Sequence, residues 1–338
     1  MQAVVREGGE GEEMSDRCFV SADWINVEGR LTAHFSGDPV LTAELDAELS
    51  GGHKVHALNA ALIYDIDPAD AKTHLVMLKG QMRPAYDAGK RQTHRWNYGG
   101  GPRNMAETFW LPLDFCKAVD AKLSAKYSGV AEWRKRLVDH VFGLFLYACG
   151  NCSYQQEERG TCPNCSRRGV AVPLRYAGVV EQPARMLYTP FGRLRRYPGK
   201  RKHGMNAVAA QLPQGSGASM WYRTFDLLHS PGIAGPPGRL VWDTDGYTYS
   251  DLLTAAQDTF VVAGTYDSFL MECPTRDAGK VLEWLVWCME QPWSELGGKR
   301  FPAEGSVGGN WEKWHERNNP GGLREVAVRP LSVSNPYM

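Results

Sequence analysis

Four of the eight cysteines fall in two short knuckles, Cys149-Gly150-Asn151-Cys152 and Cys162-Pro163-Asn164-Cys165. Each knuckle turns two sulfurs toward one point, and four thiolates suit a tetrahedral Zn²⁺ with no coordination position left open. A metal held that way is structural. Eight cysteines in 338 residues are too sparse for a secreted disulfide scaffold, so the pairing reads as metal in a reducing compartment. A second pair is Asp23 and Asp267, each at the end of a strand-like run. Alone, each is an ordinary turn residue. Two carboxylates brought together, however, make a site for a hard divalent cation. A third feature is basic: between Arg185 and Lys202 lie seven Lys or Arg and no Asp or Glu. On charge alone that run is a solvated face.

The elements that must position these residues follow from local pattern. Residues 1–17 are Gly/Glu-rich and read as a flexible arm. Cys18-Phe19-Val20 is a short strand leading into Ser21-Ala22-Asp23, and Trp24–Phe35 is helix-compatible. Residues 53–126 read mostly as helices broken at Pro68, Pro84 and Gly99-Gly100-Gly101-Pro102, and helix continues over 123–146. A Cys-rich module at about 147–170 interrupts the chain, and Leu187–Tyr197 is a strand or hairpin carrying the basic cluster. Met205–His229 has helical spacing around a loop at Pro213-Gln214-Gly215. Residues 231–248 form a loop. Phe260–Ala263 and Phe269–Met271 make a hairpin with Asp267 at its turn, a helix covers Arg276–Glu290, and the last forty residues are punctuated by Gly and Pro.

Composition sets outer limits. Thirty-eight Lys and Arg balance thirty-eight Asp and Glu, and 43% hydrophobic with 22% charged residues excludes a disordered or fibrous chain. No apolar run reaches the ~18 residues of a membrane span, and the start has no secretory signal pattern. A soluble, cytoplasmic protein is expected, in the host cytoplasm if the source is viral. Most of the eleven tryptophans, Trp284, Trp287 and Trp293 among them, are expected in the core or at interfaces.

Ser21-Ala22-Asp23-Trp24-Ile25-Asn26-Val27-Glu28-Gly29-Arg30 resembles motif A of the family A DNA polymerases, the bacterial DNA polymerase I group and its phage relatives. There Asp-aromatic-x-x-aliphatic-Glu-x-Arg follows a strand. Lys90 to Tyr98-Gly99 resembles motif B, and Ala263-Gly264-Thr265-Tyr266-Asp267-Ser268-Phe269 looks like motif C. Thr189-Pro190-Phe191-Gly192-Arg193, Gln214-Gly215-Ser216-Gly217-Ala218 and Glu290-Gln291-Pro292-Trp293 are similar to three connecting signatures. Six signatures in family order over roughly 18–315 are far more specific than any one alone.

The resemblance implies an α/β (α+β) fold: a polymerase palm, an antiparallel sheet with helices, joined to helical fingers bearing a zinc-ribbon insertion. It places an N-terminal arm at 1–17, palm with motif A at 18–50, fingers at 51–204, and palm with motif C and a C-terminal segment at 205–338. It implies template-directed DNA synthesis on primer-template DNA from deoxynucleoside triphosphates, with Asp23 and Asp267 as catalytic residues holding two Mg²⁺. Glu28, Lys90, His94, Tyr98 and Arg193 would bind nucleotide. Glu28 would exclude the ribose 2′-hydroxyl, and Lys90 would meet the triphosphate as a point charge. Gln214, Gly99, Tyr266, Arg195 and Arg196 would meet DNA, Gln214 as a minor-groove reader.

Four positions depart from the pattern. Tyr86 stands where motif B has Arg, His94 where it has an aromatic, and Tyr266 and Ser268 flank Asp267 where motif C has His and often a carboxylate. Motif A begins near residue 20, so the resemblance covers palm and fingers only, with thumb and 3′–5′ exonuclease expected on a separate polypeptide, as in a split phage polymerase. The rival readings are a non-catalytic, zinc-containing nucleic-acid-binding replication protein derived from a polymerase, and an RNA polymerase or primase. Asp23, Asp267, Lys90 and Glu28 in register speak against the first, because binding alone needs none of them so spaced.

Overall fold

The computed structural model describes residues 16–326 except 144, 157–160, 168, 170–171, 180–183, 199–200, 230–257, 266, 314 and 317. The expected arm up to residue 15, the 231–248 loop and Tyr266 lie outside the described residues. In chain order the elements run β1 (Arg17–Trp24), α1 (Val27–Ser36), α2 (Pro39–Leu49), α3 (Val55–Tyr64), β2 (Leu75–Leu78), β3 (Gln81–Pro84), α4 (Ala85–Asn97), α5 (Pro102–Phe109), α6 (Leu113–Lys126) and α7 (Ser128–Phe142). Then follow β4 (Phe145–Ala148), β5 (Gln155–Gln156), α8 (Pro163–Ser166), β6 (Arg175–Val179), β7 (Met186–Tyr188), β8 (Leu194–Arg196), α9 (Arg201–His229), β9 (Phe260–Thr265) and β10 (Ser268–Pro274). A helix Ala278–Met289, β11 (Ala303–Gly308) and β12 (Arg324–Val326) close the described chain. The architecture is mixed α/β with an antiparallel sheet, as the sequence implied. Among the described residues no helix is long and apolar enough to cross a membrane.

The chain divides into two compact units, one made of residues 1–27 with 217–338, the other of residues 28–216. The first holds a five-stranded antiparallel sheet in the order β12-β11-β1-β10-β9. In β1 the side chains alternate, with Cys18, Val20, Ala22 and Trp24 buried and Arg17, Phe19, Ser21 and Asp23 half-buried on the opposite face. That period of two is the reason one strand serves both core and surface. The buried face meets the helix Ala278–Met289, whose Val281, Leu282, Leu285 and Met289 are buried. The Trp24 indole donates to the Met289 carbonyl at 2.9 Å, satisfying its only polar atom.

The second unit is mostly helical. Asp38 caps α2 by accepting from the Leu41 N–H at 2.9 Å, and its other oxygen accepts from Gly129 N–H at 2.9 Å and Val130 N–H at 3.3 Å. One buried carboxylate therefore serves the positive N-termini of two helices. The helix expected without interruption over 123–146 accordingly divides at Tyr127, where α7 begins beneath Asp38. The core behind α4 and α7 includes Trp96, Tyr127, Val130 and Trp133. The Arg134 guanidinium lies 4.0 Å over the Trp96 ring and donates to the Trp96 carbonyl, tying α7 to the end of α4.

Two further segments differ from their sequence expectation. Residues 75–84, read as part of a helical region, form the β2–β3 hairpin with Lys79-Gly80 as its two-residue loop, both at positive φ (51° and 72°). Such a mirror-image turn matches the strand twist. Pro213-Gln214-Gly215, read as a loop, lies inside α9. An interior proline costs about 3 kcal/mol in helix propensity. Val208, Ala209 and Ala210 just before it are buried, and Val208 joins Phe142, Leu187 and Tyr197 in one apolar cluster that holds the turn.

Candidate active site and metal centre

The sheet of the first unit brings the two aspartates together. Asp23 sits at the end of β1 with Ser268 as its cross-strand partner on β10, and the Trp24 N–H donates to the Asp267 carbonyl at 3.0 Å. Asp267 occupies the turn between β9 and β10, where Thr265 Oγ1 lies 3.5 Å from its Oδ1 and 2.6 Å from Ser268 Oγ. The turn is braced from below. Trp221 stacks on Phe269 with centroids 5.0 Å apart and rings 5° from parallel, and its indole N–H donates to the Ser268 carbonyl at 3.3 Å. A side chain at Gly264 would collide with the Trp221 ring, so the close approach requires glycine. On the other side of β1, Asp23 pairs with Glu304 of β11. Directly opposed residues share a face, so the row Glu304, Asp23, Ser268 presents two carboxylates and a hydroxyl, with Asp267 beside it. Sequence reasoning missed Glu304: it is an exposed glutamate in a polar strand far along the chain, and no local pattern marks it.

The second unit gathers four of the residues assigned to nucleotide or DNA. Glu28 opens α1, and its Oε2 lies 3.1 Å from His94 Nδ1 on α4. Burial pushes the Glu28 carboxyl up, but hydrogen bonds from His94, Tyr98 and Gln214, with the charge of His94, outweigh it and hold the group below its usual range. Lys90 lies one turn before His94 and is exposed. Tyr98 caps α4, and Gly99 follows with φ +74°, a conformation that favours glycine. α4 lies tightly on α3, since a Cβ at Gly89 would come within 2.9 Å of the Ala60 Cα. That contact sets His56 of α3 against His94, ring centroids 5.3 Å apart. Burial, then the charges of His94, Lys90 and Lys54, push His56 down to about 3, so it stays neutral at ordinary pH. His56 carried no sequence signal.

Arg193, Arg195 and Arg196 are exposed on the β7–β8 hairpin. Its loop is closed by Thr189 N–H to the Arg193 carbonyl at 3.0 Å, Gly192 N–H to the Thr189 carbonyl at 2.9 Å and Arg193 N–H to Thr189 Oγ1 at 3.2 Å. The Thr-x-x-Gly-Arg signature is thus a tight turn, with Gly192 at φ +77°.

The ligand atoms of Cys149, Cys152, Cys162 and Cys165 all lie within 4.8 Å of one another. Cys149 and Cys165 sulfurs are 3.6 Å apart and those of Cys152 and Cys162 3.4 Å. Four sulfurs at about 2.3 Å from one tetrahedral Zn²⁺ stand about 3.8 Å apart, so the donor set fits that ion in type, number and spread. Burial raises the Cys149 thiol, yet backbone N–H groups of Asn151 and Cys152 and the neighbouring thiols bring it down to about 7. Its neighbours move the other way: burial and the adjoining thiols push Cys165 up to about 12, and Cys152 is raised as well.

No protein-family profile matches the chain, and no curated protein matches it. Among solved structures it is similar to the POL domain of Pol1 from M. smegmatis, determined in complex with DNA primer-template and dNTP, with a TM-score of 0.55 and 15% identity. The match covers 88% of this chain and 40% of that one. The chain has a polymerase-like fold.

Proposed function

We propose that this chain is the catalytic part of a template-directed DNA polymerase that adds deoxynucleotides to a primer 3′ end. The observation that carries the reading is that Asp23, at the end of β1, lies next to the β9–β10 turn that holds Asp267, in a polymerase-like fold. Divalent metal ions held there would supply activation of the primer hydroxyl and neutralisation of triphosphate charge. Asp23 and Asp267 are the residues that would hold two Mg²⁺, with Glu304 as a further carboxylate on the same face. Lys90 binds the triphosphate, and Arg193 adds positive charge for it. Glu28, fixed by His94, Tyr98 and Gln214, excludes a 2′-hydroxyl. His94 meets the nucleotide sugar in this reading. Tyr98 and Gly99 face the new base pair, and Gln214, Tyr266, Arg195 and Arg196 meet DNA. The palm in this reading is 18–50 with 205–338 and the fingers 51–204.

The test is primer extension by the full chain with Mg²⁺ and either sugar series. Extension with deoxynucleotides and not ribonucleotides is expected. Extension with ribonucleotides alone would mark an RNA polymerase or primase, and binding without extension under any metal would mark a non-catalytic nucleic-acid-binding protein.

The four cysteines hold a structural Zn²⁺ in this reading. Elemental analysis should find a single zinc per chain, lost in Cys149→Ser and in Cys162→Ser. Zinc sites stabilise folded domains by about 10 kcal/mol or more in isolated fingers. Both variants should therefore melt at clearly lower temperature, and unchanged melting with full zinc loss would contradict the structural role.

A further inference from the structure

The β7–β8 hairpin has two faces of different character. Its cross-strand pairs are Met186 with Arg196, Leu187 with Arg195 and Tyr188 with Leu194. Directly paired residues point the same way, so Met186, Tyr188, Leu194 and Arg196 form one face. That face is open: Tyr188 is 55% exposed, Met186 39% and Leu194 38%. On the opposite face Leu187 is buried against Phe142, Tyr197 and Val208, which anchors the hairpin to its own unit. Arg196 shares the open face and Arg193 stands at the turn, while Arg185 and Arg195 lie on the Leu187 side over the Phe142 and Tyr197 rings, in a stretch without a single carboxylate.

A face that served only to repel or solvate would carry charge without an aromatic and two aliphatic side chains. An acidic protein partner would match the arginines but has no general use for an exposed ring between them. An unpaired nucleic-acid strand uses both features, since its phosphates meet arginines while its bases, which all have a π-face, stack on aromatic and apolar side chains. Duplex bases are already stacked and offer no free face.

We propose that the outer face of the β7–β8 hairpin is a stacking platform for unpaired nucleotides, with Tyr188 as the base-stacking residue, Met186 and Leu194 as its apolar flanks and Arg196 on phosphate. This extends the proposed function and rests on it only in taking nucleic acid as the partner. No residue named for catalysis takes part.

The test is fluorescence anisotropy of the full chain, without Mg²⁺ or nucleotides, against a labelled oligothymidylate, an abasic strand of equal length and a duplex of equal length. Oligothymidylate is expected to bind more tightly than either control. Tyr188→Ala should weaken oligothymidylate about tenfold, the loss of one stacked base, and leave the abasic strand unchanged, while Tyr188→Phe keeps the wild-type affinity. Arg196→Ala should weaken both strands alike and lower the salt slope by about 0.7, one phosphate contact. The platform is overturned if Tyr188→Ala binds oligothymidylate like the wild type. It is overturned equally if abasic strand and oligothymidylate bind alike, or if polyglutamate of equal length competes as well as oligothymidylate. If extension fails while these results hold, only the catalytic reading falls. If extension succeeds while they fail, only the platform does.

Discussion

Asp23→Asn and Asp267→Asn are each expected to reduce single-turnover primer extension by on the order of 10³-fold, about 4 kcal/mol of transition-state stabilisation. Asparagine keeps the size of aspartate and one acceptor oxygen, but it puts a donor NH2 in place of the other oxygen and removes the negative charge that a hard cation requires. Both positions stand at the edge of the sheet core, half-buried and next to the hydroxyls of Thr265 and Ser268. Melting temperatures should therefore stay close to the wild type, which separates lost chemistry from lost folding. Wild-type extension in either variant would remove the catalytic assignment. Glu304→Gln offers a graded comparison, because it lies opposite Asp23 but is exposed. A raised Mg²⁺ requirement with little loss at saturation is its expected result.

The second large effect concerns sugar choice. Glu28→Ala should raise ribonucleotide incorporation relative to deoxynucleotide by on the order of 10²-fold, since a smaller side chain no longer rejects an added hydroxyl. The partner residue gives the pH dependence. In the folded chain Glu28 is held below its usual range by His94, Tyr98 and Gln214. A carboxyl with a depressed folded value is charged above that value, and its contribution is lost only as pH falls through it. Discrimination by the wild type should therefore be flat from neutral pH down into the ordinary carboxylate range. His94→Phe removes a hydrogen bond and a charge, so the Glu28 value rises and discrimination begins to fail at higher pH than in the wild type. Ratios of deoxy- to ribonucleotide incorporation measured between pH 5 and 8 check this directly. Identical profiles for both proteins would show that His94 does not set the state of Glu28.

The cysteine cluster and the strands that end near Asp23 and Asp267 could be read before the fold was known, and the reason is local. Asp23 and Asp267 each close an apolar strand run, and the four cysteines announce their geometry through spacing. Other parts were hidden for physical reasons. Leu75-Val76-Met77-Leu78 is a four-residue apolar run that periodicity cannot tell from a helical turn. Its Lys79-Gly80 loop lacks the Asn or Asp that usually signals a mirror-image turn. Pro213 reads as a helix breaker because propensity is local, while the apolar cluster that keeps α9 intact is assembled from distant segments. The contacts of Glu28 with His94, and of His94 with His56, are likewise long-range. They depend on how closely α3 and α4 pack at Gly89 and Ala60, a distance that no pattern of residues states.

The alternation along β1 constrains how this gene can change. Every second residue of Arg17–Trp24 is committed to the core and every other to the face bearing Asp23. Deleting or inserting one codon within the strand would exchange the two sets, turning Asp23 inward and the Trp24 indole outward. Lineages carrying this strand should therefore tolerate indels there only in steps of two codons, or outside it, before residue 17 and after Trp24. A library of single-codon and double-codon insertions across 17–24, selected for soluble expression, would show that two-step rhythm.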